Sequence, residues 1–136
     1  DLKTWEKAIS TNLTSSFLLS KYLIPILKHS QLPRLIFTSS GVALEGKAYW
    51  GAYSVSKAGL KALSEILKEE LETIPKLKVF NFNPKATRTE MRALAFPAED
   101  PNSIKKPDKL IDYYLWMLSN KSSSSFKTYV EFGDKI

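Results

Sequence analysis

The chain has 136 residues, enough for one domain with one sizeable core. Its formal charge of +6 is spread among lysines that alternate with acids, as in Lys68-Glu69-Glu70, so no nucleic-acid interface is expected. The lack of cysteine excludes disulfide and thiolate chemistry and suits a cytoplasmic setting; one histidine makes no metal site, and the apolar runs are too short for a membrane span.

The opening residues Asp1-Leu2-Lys3-Thr4-Trp5 read as the approach to a helix, and upstream sequence is expected to be missing. Trp5, Ile9, Leu13, Phe17, Leu23 and Leu27 recur near helical spacing, which predicts one long helix from about Trp5 to His29. Asp1 or Thr4 suits its cap. Pro25 is expected to kink or loosen its last turns. His29 is placed near the helix end and given no catalytic role.

Arg34-Leu35-Ile36-Phe37-Thr38 predicts a buried strand. Ser39-Ser40-Gly41 and a loop follow, then a helix from about Ala52 to Ile74 with Leu60, Leu63, Leu67 and Leu71 on its apolar stripe. Leu77 to Phe82 predicts the next strand, ended by Asn83-Pro84. Residues 85–107 read as a long irregular connection holding a short helix near Glu90 to Ala95, and long connections are frequently lids or binding loops. A helix from Pro107 to about Leu118, a polar linker at Ser122 to Ser125, and a strand at Thr128 to Phe132 complete the chain.

This alternation predicts an α/β fold with a parallel sheet and covering helices. Open sheets of that kind bind ligands beyond the carboxyl ends of their strands. Ser39-Ser40 and Asn83-Pro84 each follow a strand, so both point to one site.

Tyr53 and Lys57 fall on one helix face, one turn apart. A free tyrosine titrates near 10 and transfers protons poorly at neutral pH, whereas a nearby ammonium favours its phenolate. Such a pair is suited to exchanging a proton with an alcohol or carbonyl oxygen. Ser40 adds a hydroxyl that both donates and accepts. Tyr-x-x-x-Lys alone is a weak signal, since any amphipathic helix accommodates it as a surface pair. Its place after a strand-end Ser-Ser and before a strand-end Asn-Pro strengthens it.

With these residues in hand, the chain resembles the short-chain dehydrogenase/reductase family. Phe37-Thr38-Ser39-Ser40 and Gly51-Ala52-Tyr53-Ser54-Val55-Ser56-Lys57-Ala58 are similar to its active-site segment. Asn12 in Thr11-Asn12-Leu13 matches its helix asparagine, and Pro84 to Met91 resembles its Pro-Gly-x-x-x-Thr-x-Met stretch. Tyr49-Trp50-Gly51 and the run Met91 to Pro101 look like the bacterial YciK-like branch.

The resemblance implies the carboxyl-terminal part, residues 1–136, of a Rossmann-type doubly wound domain. It implies an oxidoreductase that interconverts a carbonyl and an alcohol with NAD or NADP. Tyr53 would be the acid/base, Lys57 would assist it and bind the cofactor ribose, and Ser40 would orient the substrate oxygen. Asn12 would hold a water in the proton relay. Pro84, Thr87 and Thr89 would border the nicotinamide, Thr87 through its backbone and Thr89 through its hydroxyl. The equivalent helices pair between subunits, which implies a homodimer or homotetramer. Without the resemblance, Asn12 reads as bonding nearby backbone and Thr89 as a cap before Glu90.

Three departures stand out. The glycine-rich phosphate turn is absent from these residues, so this chain alone is expected to be inactive. Lys85 replaces the glycine after Pro84; it is expected either to reach solvent or to crowd the cofactor, with Lys85→Gly tightening nicotinamide binding. Ser122 to Ser125 stand where the family has a glycine-bearing turn. Met91, Leu94 and Phe96 fit either an apolar substrate wall or core packing. Two other readings remain: a non-catalytic binding or regulatory protein on the same fold, or an inactive fragment of the enzyme.

Overall fold

The computed structural model describes all 136 residues. Helix α1 (Leu2–Ile9) begins on Asp1, whose carboxylate accepts the Thr4 N–H at 2.8 Å. The expected single long helix is broken into pieces. A π-helical turn spans Ser10–Thr14, and α2 follows at Ser15–Leu27. A π turn adds one residue per turn and frees carbonyls from their usual partners. The local sequence answers this with hydroxyls: Ser15 Oγ donates to Thr11 O at 2.6 Å and Ser16 Oγ to Asn12 O at 2.9 Å. Helix α2 continues two residues beyond Pro25. So late in the helix, the missing N–H removes one bond of the final turns and does not end the helix there. His29 lies in the turn that follows.

Strand β1 (Arg34–Thr38) has the expected bounds, and β2 (Lys78–Asn83) and β3 (Tyr129–Glu131) lie within two residues of theirs. The three are parallel in the order β1-β2-β3. Helix α3 (Gly51–Glu70) stops short of Ile74. Helix α4 spans Glu90–Ala95. The predicted helix from Pro107 becomes a 3-10 turn at Pro107–Leu110 followed by α5 (Ile111–Met117).

Because successive strand residues point to opposite faces, the sheet builds two cores. On one face Leu35, Phe37 and Val79 meet Leu60 and Leu67 of α3, with Leu13 and Ile24 packed alongside. On the other, Phe80, Phe82 and Val130 meet Met117 of α5, flanked by Tyr113 and Trp116. The rings of Phe80 and Phe82 are fully buried, and each contributes on the order of 2–3 kcal/mol of burial free energy. This is a doubly wound α/β arrangement, and it sets the strand ends beneath α3 and the residue 84–105 loop.

The serine run is not a linker. Asn120–Ser124 forms a 3-10 turn, and the fully buried Ser122 donates to the carbonyls of Met117 and Ser119, both at 3.0 Å. Arg34 fastens the same turn to β1, donating to Met117 O at 3.0 Å and to Ser123 Oγ at 2.9 Å. Helix capacity in a polar run is invisible to hydrophobic periodicity, because it rests on hydroxyls bonding nearby carbonyls and not on apolar spacing.

Candidate active site

The carboxyl end of β1 and the first turns of α3 are joined by one bond: Lys57 Nζ donates to Thr38 O at 2.8 Å. Burial pushes the Lys57 ammonium below the usual lysine range. The ammonium sits 5.7 Å from the centre of the Tyr53 ring. Helical geometry explains the pairing, since residues four apart stack on one face.

Ser40 is extended and precedes a 3-10 turn at Gly41–Ala43 that packs on α3. Its neighbour Ser39 donates its N–H to Phe82 O at 2.6 Å, which draws the ends of β1 and β2 together. A Cβ at Gly41 would lie 3.9 Å from Asn83 Nδ2, so this turn rests against the end of β2. Both strand ends singled out in the sequence therefore meet.

Asn12 lies at the middle of the π turn. Its Nδ2 donates to Ser56 Oγ at 3.0 Å, and Ser56 Oγ donates onward to Tyr53 O at 2.8 Å. Ser56 is fully buried. The contact needs close helices, and Gly59 supplies the room: a Cβ there would fall 2.7 Å from Leu13 Cδ2. Asn12 is thus docked onto the first turns of α3, which carry Tyr53 and Lys57, by a serine that the motif reading passed over. The only sequence signal for it was a small polar residue on the face that carries Gly59. A cleft of about 320 Å³ lies along the unpaired edge of β1, with Asn12, Thr38 and Lys57 among its lining.

The loop after β2 borders the same end of the sheet. Pro84 is half-buried and Thr87 Oγ1 turns inward to Pro84 O at 3.3 Å and Lys85 O at 3.1 Å. The Thr87 N–H makes no backbone hydrogen bond. Thr89 caps α4, accepting the Arg92 N–H at 3.2 Å. Arg88 N donates to Lys105 O at 2.8 Å, and the Lys105 ammonium donates to Ala86 O. Farther out, Arg92 makes two bonds of 2.6 and 2.7 Å to the Glu99 carboxylate and stacks 3.6 Å from the Phe96 ring centre. Trp50 bridges the loop to the helix, 5.6 Å from both the Phe96 and the Tyr53 ring centres. Met91 is 65% and Leu94 78% exposed, which rules out core packing for both within this chain.

Lys85 follows the first expected course, being exposed to solvent, and it also gains a partner. Its backbone is left-handed (φ 54), and its ammonium lies 2.6 Å from a Glu131 carboxylate oxygen at the end of β3.

A nicotinamide ribose suits this donor set. An ammonium has three N–H donors, and Lys57 spends one on Thr38 O. A free Thr87 N–H suits an acceptor such as a carboxamide oxygen. The residues supply no glycine-rich turn for the pyrophosphate, so the fit covers the nicotinamide side alone. No helix is long and apolar enough to cross a membrane.

Comparison with known proteins places the chain in a family. The family described as short chain dehydrogenase matches residues 1–100. The uncharacterized oxidoreductase YciK of Escherichia coli K12 is 38% identical over 120 residues, covering 88% of this chain and 47% of that protein. The structure of a short chain dehydrogenase from Salmonella enterica serovar Typhi CT18 superimposes with a TM-score of 0.92 at 36% identity, covering 96% of this chain and 54% of the other. A short chain dehydrogenase of Escherichia coli CFT073, complexed with NADPH, gives 0.91 at 36% identity with the same coverages. The chain spans about half the length of these relatives. It belongs to the short-chain dehydrogenase family.

Proposed function

We propose that this chain carries the proton-transfer half of an NAD(P)-dependent oxidoreductase that interconverts a carbonyl and an alcohol. The observation that carries the reading is the Lys57 ammonium, tied to Thr38 O at the end of β1 and standing 5.7 Å from the Tyr53 ring centre, with Asn12 docked on the same helix through Ser56. A bound nicotinamide dinucleotide would supply or accept the hydride. Tyr53 exchanges the proton at the substrate oxygen. Lys57 holds positive charge beside the Tyr53 ring and offers its remaining N–H donors to the ribose. Ser40 orients the substrate oxygen, and Asn12 holds the water through which protons reach Lys57. Pro84, Thr87 and Thr89 border the nicotinamide, with Thr87 offering its backbone N–H. Capping by Thr89 uses one lone pair of its hydroxyl, which leaves the O–H free to donate.

The NADPH complex of a relative supports a nicotinamide cofactor without distinguishing NAD from NADP for this chain. The proposal includes a cytoplasmic homodimer or homotetramer and a catalytic domain extending beyond these residues. Exposed Leu18, Tyr22 and Ile26 on α2, with Val55 and Ile66 on α3, support the assembly. Light scattering and intact mass on the native protein test both; a monomer of 136 residues would refute them.

Turnover is tested on the intact native protein by reduced-cofactor absorbance with a panel of aldehydes and ketones. Tyr53→Phe is expected to lower turnover about a thousandfold, the range of a lost acid/base, while nicotinamide affinity stays within about threefold. Undiminished activity in that variant would sink the assignment. Cofactor binding without any turnover would favour the regulatory reading.

A further inference from the structure

We propose that Lys85 is a positioning residue, whose ion pair with Glu131 holds the Pro84–Thr89 loop in the shape that presents Thr87 and Thr89 to the nicotinamide. The inference rests on the function proposed above and extends it to two residues beyond Asn12, Ser40, Tyr53 and Lys57.

The chain turns sharply as it leaves β2, and that turn needs a left-handed residue at position 85. Glycine would take such a backbone freely, whereas a lysine is placed there at a steric cost. Two contacts hold it. Asn83 Oδ1 accepts the Lys85 N–H at 3.0 Å, closing the turn locally. Lys85 Nζ then reaches across to Glu131 at 2.6 Å. Glu131 is in register with Asn83 on the neighbouring strand, so the pair ties the loop root to the end of β3. The Glu131 carboxylate beside it raises the Lys85 ammonium above the usual lysine range.

The direction of the side chain matters. In the order β1-β2-β3, Lys85 points to β3, while Ser40, Tyr53 and Lys57 gather at the end of β1. The ammonium therefore does not crowd the reacting side. Lys105 works in parallel from the far end of the loop, donating to Ala86 O while it lies 4.3 Å from the centre of the Phe132 ring. Two lysines thus fasten one loop to one turn, residues 131–134. That turn is itself anchored, with the Gly133 N–H donating to Tyr113 Oη at 2.7 Å. A tether of this kind supports affinity by reducing the order that binding must impose.

On this proposal Lys85→Gly, expected from the sequence to tighten cofactor binding, would instead ease the turn and release the tether. The test uses Lys85→Met, Glu131→Gln and their combination in the intact native protein, with Lys85→Arg as the conservative rescue. Calorimetric Kd for NADH and NADPH is expected to rise about threefold in each single variant, with no further rise in the double, since the pair acts as one unit. Turnover at saturating cofactor stays within about twofold, and Lys85→Arg restores the affinity. In the apoprotein, amide exchange at residues 86–89 accelerates in Lys85→Met. Unchanged Kd and unchanged exchange would overturn the proposal. Lower turnover at unchanged Kd would also overturn it, as a purely structural role predicts that. If the native protein binds neither dinucleotide, the proposed function falls, and the exchange measurement still decides whether Lys85 holds the loop.

Discussion

The two sides of the site are held by different forces. Around Tyr53 the attachments are short hydrogen bonds: Asn12 to Ser56 and Ser56 to Tyr53 O at a fully buried hydroxyl, and Lys57 to Thr38 O nearer the surface. Around Pro84 to Lys105 they are ion pairs and ring contacts: Lys85 with Glu131 near solvent, and Arg92 with Glu99 and Trp50 with Phe96 half-buried. Buried hydrogen bonds are costly to leave half-made, and exposed ion pairs are cheap to break and sensitive to salt. The side joined by Asn12 and Ser56 is therefore built to keep one geometry. The loop side is held in shape by contacts that yield more readily.

Breaking the buried side has the largest expected effect. Ser56→Ala leaves the Asn12 amide without its partner, at a cost of about 1–3 kcal/mol in stability. Turnover is expected to fall about tenfold with its pH profile displaced, at little change in cofactor affinity. Urea unfolding and pH–rate curves on the intact protein check both, and an unaltered pH profile would leave Ser56 as packing only. A smaller effect concerns Lys57. Its folded-state titration lies below the ordinary 10.5, so the unfolded chain binds more protons between the two values. Stability contributed at this site therefore rises as pH climbs toward 10.5, and Lys57→Met should flatten that rise in unfolding curves at pH 8, 9 and 10. The smallest belongs to the loop. Glu99→Gln removes one charge from the Arg92 clasp and should hardly move the thermal midpoint, while amide exchange across residues 89–98 quickens. A large fall in midpoint would show that the loop side is as rigid as the helix side.

The strands were the most legible part of the fold. Arg34 to Thr38 is an apolar run between breakers, and a buried parallel strand has little else to declare. Tyr53, Lys57 and the Ser40 turn were legible because a motif fixes their spacing. The π turn at Ser10–Thr14 was not, because Ile9, Leu13 and Phe17 keep a plausible helical spacing whether or not one residue is added. Ser56 escaped notice because its partners, Asn12 and the Tyr53 carbonyl, declare themselves only once the helices meet at Gly59. The course of Lys85 depended on Glu131, which lies on another strand and comes within reach only through sheet register.

The bond between Lys57 and Thr38 has a consequence for reading variation at this site. The acceptor is a main-chain carbonyl, which every amino acid possesses. A scan of side-chain substitutions at position 38 would report tolerance, and any table of favoured residues would treat the position as uninformative. Yet that oxygen fixes where the ammonium stands. What preserves it is the path of the strand, set by Leu35 and Phe37 inside the core, so the place of the ammonium is encoded partly in apolar residues with no charge of their own.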